Sequence, residues 1–268
     1  MHQVKNLPIS IQNNPHETLD VWCFSYETVC DSALLNSYEA LMTEDERARF
    51  NKFKFERDRL LFLATRALVR TVLSNYIDVP PSDWRFVYDK YGKPHVSTPA
   101  TSESIFFSLT NTPGLVICAV SHVYDQIGVD AEWLERPGDI AALADHYFSP
   151  LEVQALRALP SAQQRDRFFR YWTLKESYLK ARGLGLSLPL NQFSFLLDDG
   201  SEIHVVFESR LTDSPTQWSF VQFTIGSSYI VALGVKTGGT SLTVRMINYV
   251  PLLGIIPFEI KLPSTSPP

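Results

Sequence analysis

The segment FRYWTLKESYLKARGLG, residues 169–185, predicts a long helix that buries aromatic side chains along one side. We expect this helix to begin near Ser161 and to end at Gly183, because glycine readily adopts the left-handed conformation that terminates helices. Within it, Glu176 falls on the same broad face as Trp172 rather than on an outward charged stripe. An acid on such a face needs a partner or a ligand.

The helix alone leaves two interpretations of this acid open. Lys180, one turn later, could form an i,i+4 ion pair with Glu176, a structural contact worth only about 0.2–0.5 kcal/mol on a surface helix. Lys175 and Lys180 could equally contact phosphate, because a lysine ammonium acts as a point charge toward phosphate oxygens.

Earlier in the chain, the segment IGVDAE, residues 127–132, has the alternation of a strand. This period places the Asp130 and Glu132 carboxylates on one face, and Gly128 allows another backbone or a ligand to approach closely. Such a pair can simply face water at a strand end. Together with Glu176, however, these acids offer the oxygen ligands that Mg²⁺ takes in combination with substrate phosphate.

The predicted elements occur in the same order in both halves of the chain. In the first half a strand precedes a capping box, Thr43 with Glu46, and a helix with an apolar stripe over residues 60–72. In the second half Ser149 and Glu152 cap a short helix, and the long helix follows with Ser161 and Gln164 as its expected cap; several short strands end each half.

The repeated order predicts an α+β fold with a pseudo-twofold duplicated unit, each unit a long helix packed on a small antiparallel sheet, and a site at the seam. The 268 residues, of which 45% are hydrophobic, can bury a full core. We expect the N-terminal half to span residues 1–122 and the half with the acids to span 123–236. We interpret 237–268 as a peripheral extension, disordered from about Leu262.

Composition excludes several classes of protein. A net charge of −5 gives no overall attraction to nucleic acid. The N-terminus does not resemble a signal peptide, and charges or prolines interrupt the longest apolar stretches, so we expect a cytoplasmic protein without a membrane segment. Cys23, Cys30 and Cys118 form no paired motif and are expected to be buried, as in a reducing compartment. The sequence has no GxSxG, P-loop, HExxH or strand-linked GxGxxG motif.

Three further segments could contact an anion. Residues 47–70 contain eight basic and two acidic side chains, which suits either a solvated helix face or a site for a polyanion. The turn Tyr91–Pro94 presents Lys93 beside a rigid proline. The hydroxyl and amide side chains of Ser108–Thr112 could bind a ligand or simply satisfy a turn.

Taken together, Gly128-Val129-Asp130 with Glu132, and the later segment WTLKESYLK (residues 172–180), resemble the signature of the 4′-phosphopantetheinyl transferases. The surfactin-synthetase-activating (Sfp-like) branch is the most similar, and the resemblance extends from about Thr43 to Val235. It implies the fold of that family, in which one chain forms a pseudo-dimer.

The resemblance also implies an activity. Members of the family transfer the 4′-phosphopantetheine arm of coenzyme A to a serine of an apo acyl or peptidyl carrier protein and release 3′,5′-ADP. The chain would then be an Mg²⁺-dependent, monomeric enzyme with coenzyme A as co-substrate and a carrier protein as partner. Its pathway could be lysine or secondary-metabolite biosynthesis.

Carried over by position, Asp130, Glu132 and Glu176 would bind Mg²⁺, and Glu176 would act on the carrier serine as a base, directly or through a bound water. Lys180 would contact the phosphates and hold the Glu176 carboxylate, and Lys175 would contact phosphate likewise. The 3′-phosphate, ribose and adenine would be bound by Arg49, Lys93, Ser108, Thr110 and Asn111.

This chain departs from the family pattern at Asn111, where members often have a histidine. A cationic histidine binds phosphate more strongly than a neutral amide does, so we expect weaker or less pH-dependent binding of coenzyme A. Basic residues that some members have at the positions of Glu46 and Phe62 are also missing here. Two other classes stay open: a catalytically silent module that binds carrier proteins, and another Mg²⁺-dependent nucleotide enzyme such as a phosphohydrolase.

Overall fold

Two long helices, Glu56–Ser74 and Ser161–Arg182, each follow two shorter helices and each pack on a sheet. The structure is a computed structural model that describes residues 18–29, 31–100, 103–197 and 203–257. The α-helices in these ranges are α1 (Ser32–Ala40), α2 (Glu44–Phe50), α3 (Glu56–Ser74), α4 (Ile140–Tyr147), α5 (Pro150–Ala158) and α6 (Ser161–Arg182). The strands are β1 (Thr18–Ser25), β2 (Arg85–Tyr88), β3 (Pro94–Thr98), β4 (Phe106–Thr112), β5 (Leu115–Ser121), β6 (Ile127–Trp133), β7 (Phe193–Leu197), β8 (Ile203–Phe207), β9 (Trp218–Ile225), β10 (Tyr229–Lys236), β11 (Thr243–Val250) and β12 (Gly254–Ile255).

The order of elements confirms the α+β, pseudo-twofold architecture. One unit runs β1, α1–α3, the hairpin β2–β3 and the hairpin β4–β5; the other runs β6, α4–α6, the hairpin β7–β8 and the hairpin β9–β10. The strand order β1-β5-β4 in the first sheet corresponds to β6-β10-β9 in the second, and both sets are antiparallel.

Both units contain the same polar contact between their second and third helices. A capping box begins the second helix of each unit, as the sequence predicts, and its glutamate then pairs with a buried cation of the third helix. The residues are Thr43, Glu46 and Arg70 in the first unit and Ser149, Glu152 and Lys175 in the second. A buried ion pair repeated at equivalent positions strengthens the assignment of a duplicated unit.

Apolar side chains form three clusters. One lies between α3 and the first sheet, and a second surrounds α6 and includes an aromatic group from β7 and β9. The third joins the inward faces of β1, β5, β6 and β10, so the two sheets pack against each other. Along β6 the alternation places Val129 and Ala131 in this third cluster, which leaves Asp130 and Glu132 for the other face.

The C-terminal segment differs from the sequence-based expectation. β11 pairs in parallel with β1 from Thr18–Thr243 to Cys23–Asn248, and its Ile247 belongs to the first core cluster. Residues 243–255 are therefore an integral part of the first sheet, because they cover an edge of β1 that would otherwise be open. The expected disorder from about Leu262, like the environment of Cys30, lies outside the described residues. The division between residues 122 and 123 stays a prediction.

Another expectation concerns the start of α6. Pro160 is its N-cap and makes no side-chain cap, so the cap predicted at Ser161 is wrong. Gln164 instead donates to the Leu159 carbonyl at 2.9 Å.

Cys23 and Cys118 are buried thiols, as expected. In the described part of the chain, no helix combines the length and the apolar character needed to cross a bilayer.

We expect Arg245→Met to destabilise the first unit. Arg245 donates to Asp20 Oδ1 at 2.8 Å and to Oδ2 at 2.6 Å, and Asp20 is buried. Loss of charged hydrogen bonds to a buried group should lower the free energy of unfolding by about 1.5–3 kcal/mol, measured by urea denaturation. The control Arg157→Met breaks an exposed pair with Asp145 and should cost less than about 1 kcal/mol. Equal losses in the two variants would contradict the structural role of β11.

Candidate active site

α6 lies very close to the second sheet at two glycines, Gly128 of β6 and Gly234 of β10. These two residues pair with each other across the strands. A Cβ atom at Gly128 would lie 1.9 Å from the Ser177 carbonyl oxygen and 2.5 Å from the Ala181 nitrogen. At Gly234 a Cβ atom would lie 3.1 Å from Ser177 Oγ. The structure thus confirms the expected close backbone approach at Gly128, and it brings the helix to the acidic strand.

Asp130 is buried between α6 and β4, and its two oxygens differ. Oδ1 accepts from Lys180 Nζ at 2.7 Å and from Thr110 Oγ1 at 3.2 Å. Oδ2 is buried and has no hydrogen-bond partner among the described residues. Burial raises the pKa of Asp130 despite the ammonium of Lys180. One oxygen of this carboxylate is therefore unpaired in a poorly solvated place.

Glu132 is engaged by an arginine that the sequence does not single out. Arg136 Nη1 lies 2.9 Å from Oε1 and 3.1 Å from Oε2 of Glu132. Burial, and then the negative charge of Asp130, raise the pKa of Glu132. The Arg136 side chain is more than half exposed, so it can leave this carboxylate without opening the core.

Glu176 makes no hydrogen bond or ion pair with the described part of the chain. Burial, followed by the negative charge of Asp130, raises the pKa of Glu176 to about 7. Lys180 bonds to Asp130 and to the Val129 carbonyl rather than to Glu176. The expected Glu176–Lys180 contact is therefore replaced by a contact between helix and strand.

The donor atoms fit a hard cation, although the carboxylates are not arranged as a closed metal site. Among the residues that the structure describes, no group of three His, Cys, Asp or Glu side chains is placed to hold an ion. Asp130 Oδ2 and the Glu176 carboxylate are nevertheless unpaired, and the pKa values of all three acids are raised. A divalent cation offsets this kind of burial and repulsion. Glu132 could become a further ligand of the cation only after Arg136 leaves its carboxylate.

A small cavity of about 220 Å³ adjoins Glu176 and Lys180. Lys93 lines it, and its Nζ donates to the Ile127 carbonyl at 3.4 Å and to the Ala181 carbonyl at 3.3 Å. Burial lowers the pKa of Lys93. The turn lysine thus lies beside Glu176 and links β6 to α6. The contact with the 3′-phosphate, ribose and adenine end that the resemblance implies for Lys93 stays a prediction.

A larger cleft of about 640 Å³ shares Gly92 with this cavity. Arg49 and Asn111 both line it, so the structure brings these two predicted ligands together. The Arg49 guanidinium lies 5.4 Å from the centre of the Phe62 ring, and Arg66 lies 5.2 Å from the same ring. Cationic and aromatic surface of this kind suits a phosphorylated nucleotide.

Sequence reasoning missed the individual role of Arg66. Its Nη1 donates to the Tyr88 hydroxyl at 2.7 Å, while its Nε is buried without a partner in the described structure. The only sequence signal was its membership of the basic run over residues 47–70. A charge inside an otherwise apolar helical stripe could have distinguished it, because such a charge needs a partner.

The run Ser108–Thr112 is not a turn but most of strand β4. Its alternate hydroxyls accept hydrogen bonds from alternate backbone N–H groups of β6, in the pairs Ser108 with Val129 at 3.1 Å, Thr110 with Ala131 at 3.2 Å and Thr112 with Trp133 at 3.3 Å. We call these three the hydroxyl ladder. It joins the two sheets at their seam, and a direct contact of Ser108 or Thr110 with a ligand stays a prediction.

Lys175 does not face the cleft. Its side chain is fully buried, and its Nζ lies 2.7 Å from Glu152 Oε2 and donates to the carbonyls of Leu190 and Phe193 at 2.7 and 2.6 Å. An ammonium with three such partners has no donor left for phosphate. This geometry corrects the expectation, drawn from the charge of the lysine and from the family resemblance, that Lys175 binds phosphate.

Fold and site together define a protein with two α+β units that can bind a phosphorylated ligand between cationic and acidic side chains. Two family models match the chain: the 4′-phosphopantetheinyl transferase superfamily over residues 126–234, and the 4′-phosphopantetheinyl transferase N-terminal region over residues 31–122.

Relatives that match most of this chain belong to the same family. The chain is 39% identical over 205 residues to the 4′-phosphopantetheinyl transferase HetI of Nostoc sp., covering 76% of this chain and 83% of that protein. It is 28% identical over 216 residues to the 4′-phosphopantetheinyl transferase Sfp of Bacillus subtilis, covering 81% and 92%. A solved holo-[acyl-carrier-protein] synthase of Thermotoga maritima is 19% identical with a TM-score of 0.34, covering 42% of this chain and 63% of that one. The chain belongs to the 4′-phosphopantetheinyl transferase superfamily and is an enzyme of that class.

We expect Lys175→Met to reduce stability without affecting ligand binding. It leaves the Glu152 carboxylate buried and uncompensated, which should lower the free energy of unfolding by about 3–5 kcal/mol. The dissociation constant for coenzyme A, measured by calorimetry on the folded protein, should stay the same. Lys180→Met, in the cavity, should show weaker binding instead.

The double variant Lys175→Met/Glu152→Gln removes the uncompensated charge. It keeps one acceptor oxygen, for the N–H group of either Ser149 or Phe195, which bond different oxygens of Glu152. It should recover part of the lost stability. A Lys175→Met protein with unchanged stability and weakened binding of coenzyme A would restore Lys175 to the set of phosphate ligands.

Proposed function

We propose that this transferase binds coenzyme A along the two cavities that share Gly92, with the pyrophosphate near Lys180 and Lys93 and the 3′-phosphate and adenine toward Arg49. The observation that carries the proposal is the unpaired Glu176 carboxylate in the smaller cavity, next to Asp130 with its unpaired Oδ2, while cationic and aromatic side chains line the larger cleft. The acceptor would be a serine of an apo acyl or peptidyl carrier protein, and the second product 3′,5′-ADP.

We further propose Mg²⁺ as the cation, held by Asp130 and Glu176, with Glu132 joining after release of Arg136. Carboxylate oxygens with a substrate phosphate are its usual ligands. When bound, Mg²⁺ neutralises charge on the pyrophosphate and improves 3′,5′-ADP as a leaving group.

The protein's own residues would bind, orient and accept a proton. Lys180 uses two of its three N–H groups on Asp130 and the Val129 carbonyl. It also lines the smaller cavity, where the pyrophosphate would lie. The serine Oγ forms a bond to the β-phosphorus as the bond to the departing ADP oxygen breaks, and the serine proton passes to the Glu176 carboxylate. General-base catalysis by a positioned side chain typically contributes 10²–10⁴-fold.

Arg49 and Arg66 would contribute to binding rather than to the chemical step, because they lie in the larger cleft beyond Gly92. Asn111 lies there too, held by a 3.3 Å bond from its Nδ2 to Thr65 Oγ1. A neutral amide gives this end of the cleft less charge than a cationic histidine would. We propose that the chain acts as a monomer in the cytoplasm, since its two units already form the pseudo-dimer.

The direct test is to incubate the protein with coenzyme A, Mg²⁺ and a panel of apo carrier proteins, and to read the masses of the intact carriers. We expect a phosphopantetheine-sized increase that EDTA prevents and added Mg²⁺ restores. If no carrier gains mass, the proposed reaction is wrong; carriers that bind without gaining mass would identify a catalytically silent module. Transfer that persists in EDTA would overturn the proposed metal dependence.

Glu176→Gln should reduce kcat by about 10²–10⁴-fold, because the amide cannot accept the serine proton. Its melting temperature should stay close to that of the parent protein, since Glu176 makes no hydrogen bond within the described residues. Glu135→Gln, at an exposed acid that follows strand β6, is the control and should retain full activity. Near-normal turnover in Glu176→Gln would refute its role as base.

A further inference from the structure

The two oxygens of the Asp130 carboxylate have opposite environments. Oδ1 accepts two hydrogen bonds, from Lys180 Nζ at 2.7 Å and from Thr110 Oγ1 at 3.2 Å. Oδ2 is buried and has no partner in the part of the chain that the structure describes. A carboxylate whose one oxygen is held by two donors cannot rotate freely, so the unpaired oxygen keeps one direction.

The Thr110 hydroxyl itself has little freedom. Its oxygen accepts from the Ala131 N–H at 3.2 Å, so its own proton is available for Asp130 Oδ1. Thr110 is 4% exposed. Ser108 and Thr112 make the equivalent bonds to β6, yet Thr110 is the member of the hydroxyl ladder that also bonds a carboxylate.

We propose that Thr110 is a positioning residue for Asp130: its hydroxyl holds Oδ1 beside Lys180 and so presents Oδ2 to the bound cation. The proposal rests on the metal site of the proposed function. Without this hydroxyl the terminal torsion of an aspartate is broad and nearly two-fold, and Lys180 alone could hold either oxygen. This role differs from the direct contact with coenzyme A that the family resemblance implies.

The test compares three substitutions in the full chain. Thr110→Val removes the hydroxyl and keeps the shape, Thr110→Ser restores a hydroxyl, and Thr112→Val removes the neighbouring rung, which does not touch Asp130. Mn²⁺, which also prefers oxygen ligands, is titrated into each protein without coenzyme A or carrier, and free Mn²⁺ is measured by electron paramagnetic resonance. Melting temperatures and the KM for coenzyme A are measured in parallel.

We expect Thr110→Val to weaken Mn²⁺ binding by about 10–100-fold, the usual effect of removing a group that orients a metal ligand. Thr110→Ser and Thr112→Val should bind Mn²⁺ like the parent. Thr110→Val should lose more stability than Thr112→Val, since it removes two hydrogen bonds to β6 where Thr112→Val removes one. Thr110→Ala provides the same comparison if Thr110→Val does not fold.

Three results would overturn the inference. Unchanged Mn²⁺ affinity with a raised KM for coenzyme A in Thr110→Val would make Thr110 a direct ligand contact. Equal loss of Mn²⁺ affinity in both valine variants would assign the effect to the ladder as a whole. A parent protein that binds no Mn²⁺ would overturn the metal assignment itself, a failure distinguishable from the other two because it needs no variant.

Discussion

The site depends on the contact between the α6 backbone and the glycine pair Gly128–Gly234. At this crossing a Cβ atom at residue 128 would lie only 1.9 Å from the Ser177 carbonyl oxygen. That distance is far shorter than a van der Waals contact. Glu176 precedes Ser177 and Lys180 follows it by three positions, so the same approach brings a carboxylate and an ammonium to Asp130. One additional carbon atom on β6 would force the helix outward, with the overpacking cost that dense interiors impose.

The two units share a scaffold but not a site. The glutamate–cation pair between the second and third helices occurs in both, because it stabilises the helix packing of each unit. The acids occur in the second unit. Strand pairing shows which residues of β1 are equivalent to the acids of β6: Asp130 pairs with the fourth residue of β10, and Trp22 pairs with the fourth residue of β5. By the same count, Phe24 is equivalent to Glu132. Aromatic side chains fill the first core at the positions where the second unit has carboxylates, so among the described residues the duplication leaves one acidic centre.

Sequence periodicity predicted the features that depend on near neighbours. The bounds of α6, both capping boxes and the common face of Asp130 and Glu132 follow from local spacing and hold in the structure. Partners distant in the chain could not be found in this way. Lys175 is adjacent to Glu176 yet bonds to Glu152 on the opposite side of the helix, and β11 joins β1 across more than 200 residues. Local patterns show that a polar group needs a partner but not which one it finds.

The strand with the acids is held more firmly than an edge strand usually is. β6 pairs through its backbone with β10 on one side, and on the other the hydroxyl ladder supplies acceptors for alternate N–H groups where a further strand would supply carbonyls. α6 covers the acidic face. Gathering like charges in a buried place is unfavourable, as the raised pKa values of the three acids show, and packing on three sides opposes their separation. Because folding already holds Asp130 beside α6, a bound cation would not need to order this carboxylate itself, whereas it would have to displace Arg136 to reach Glu132.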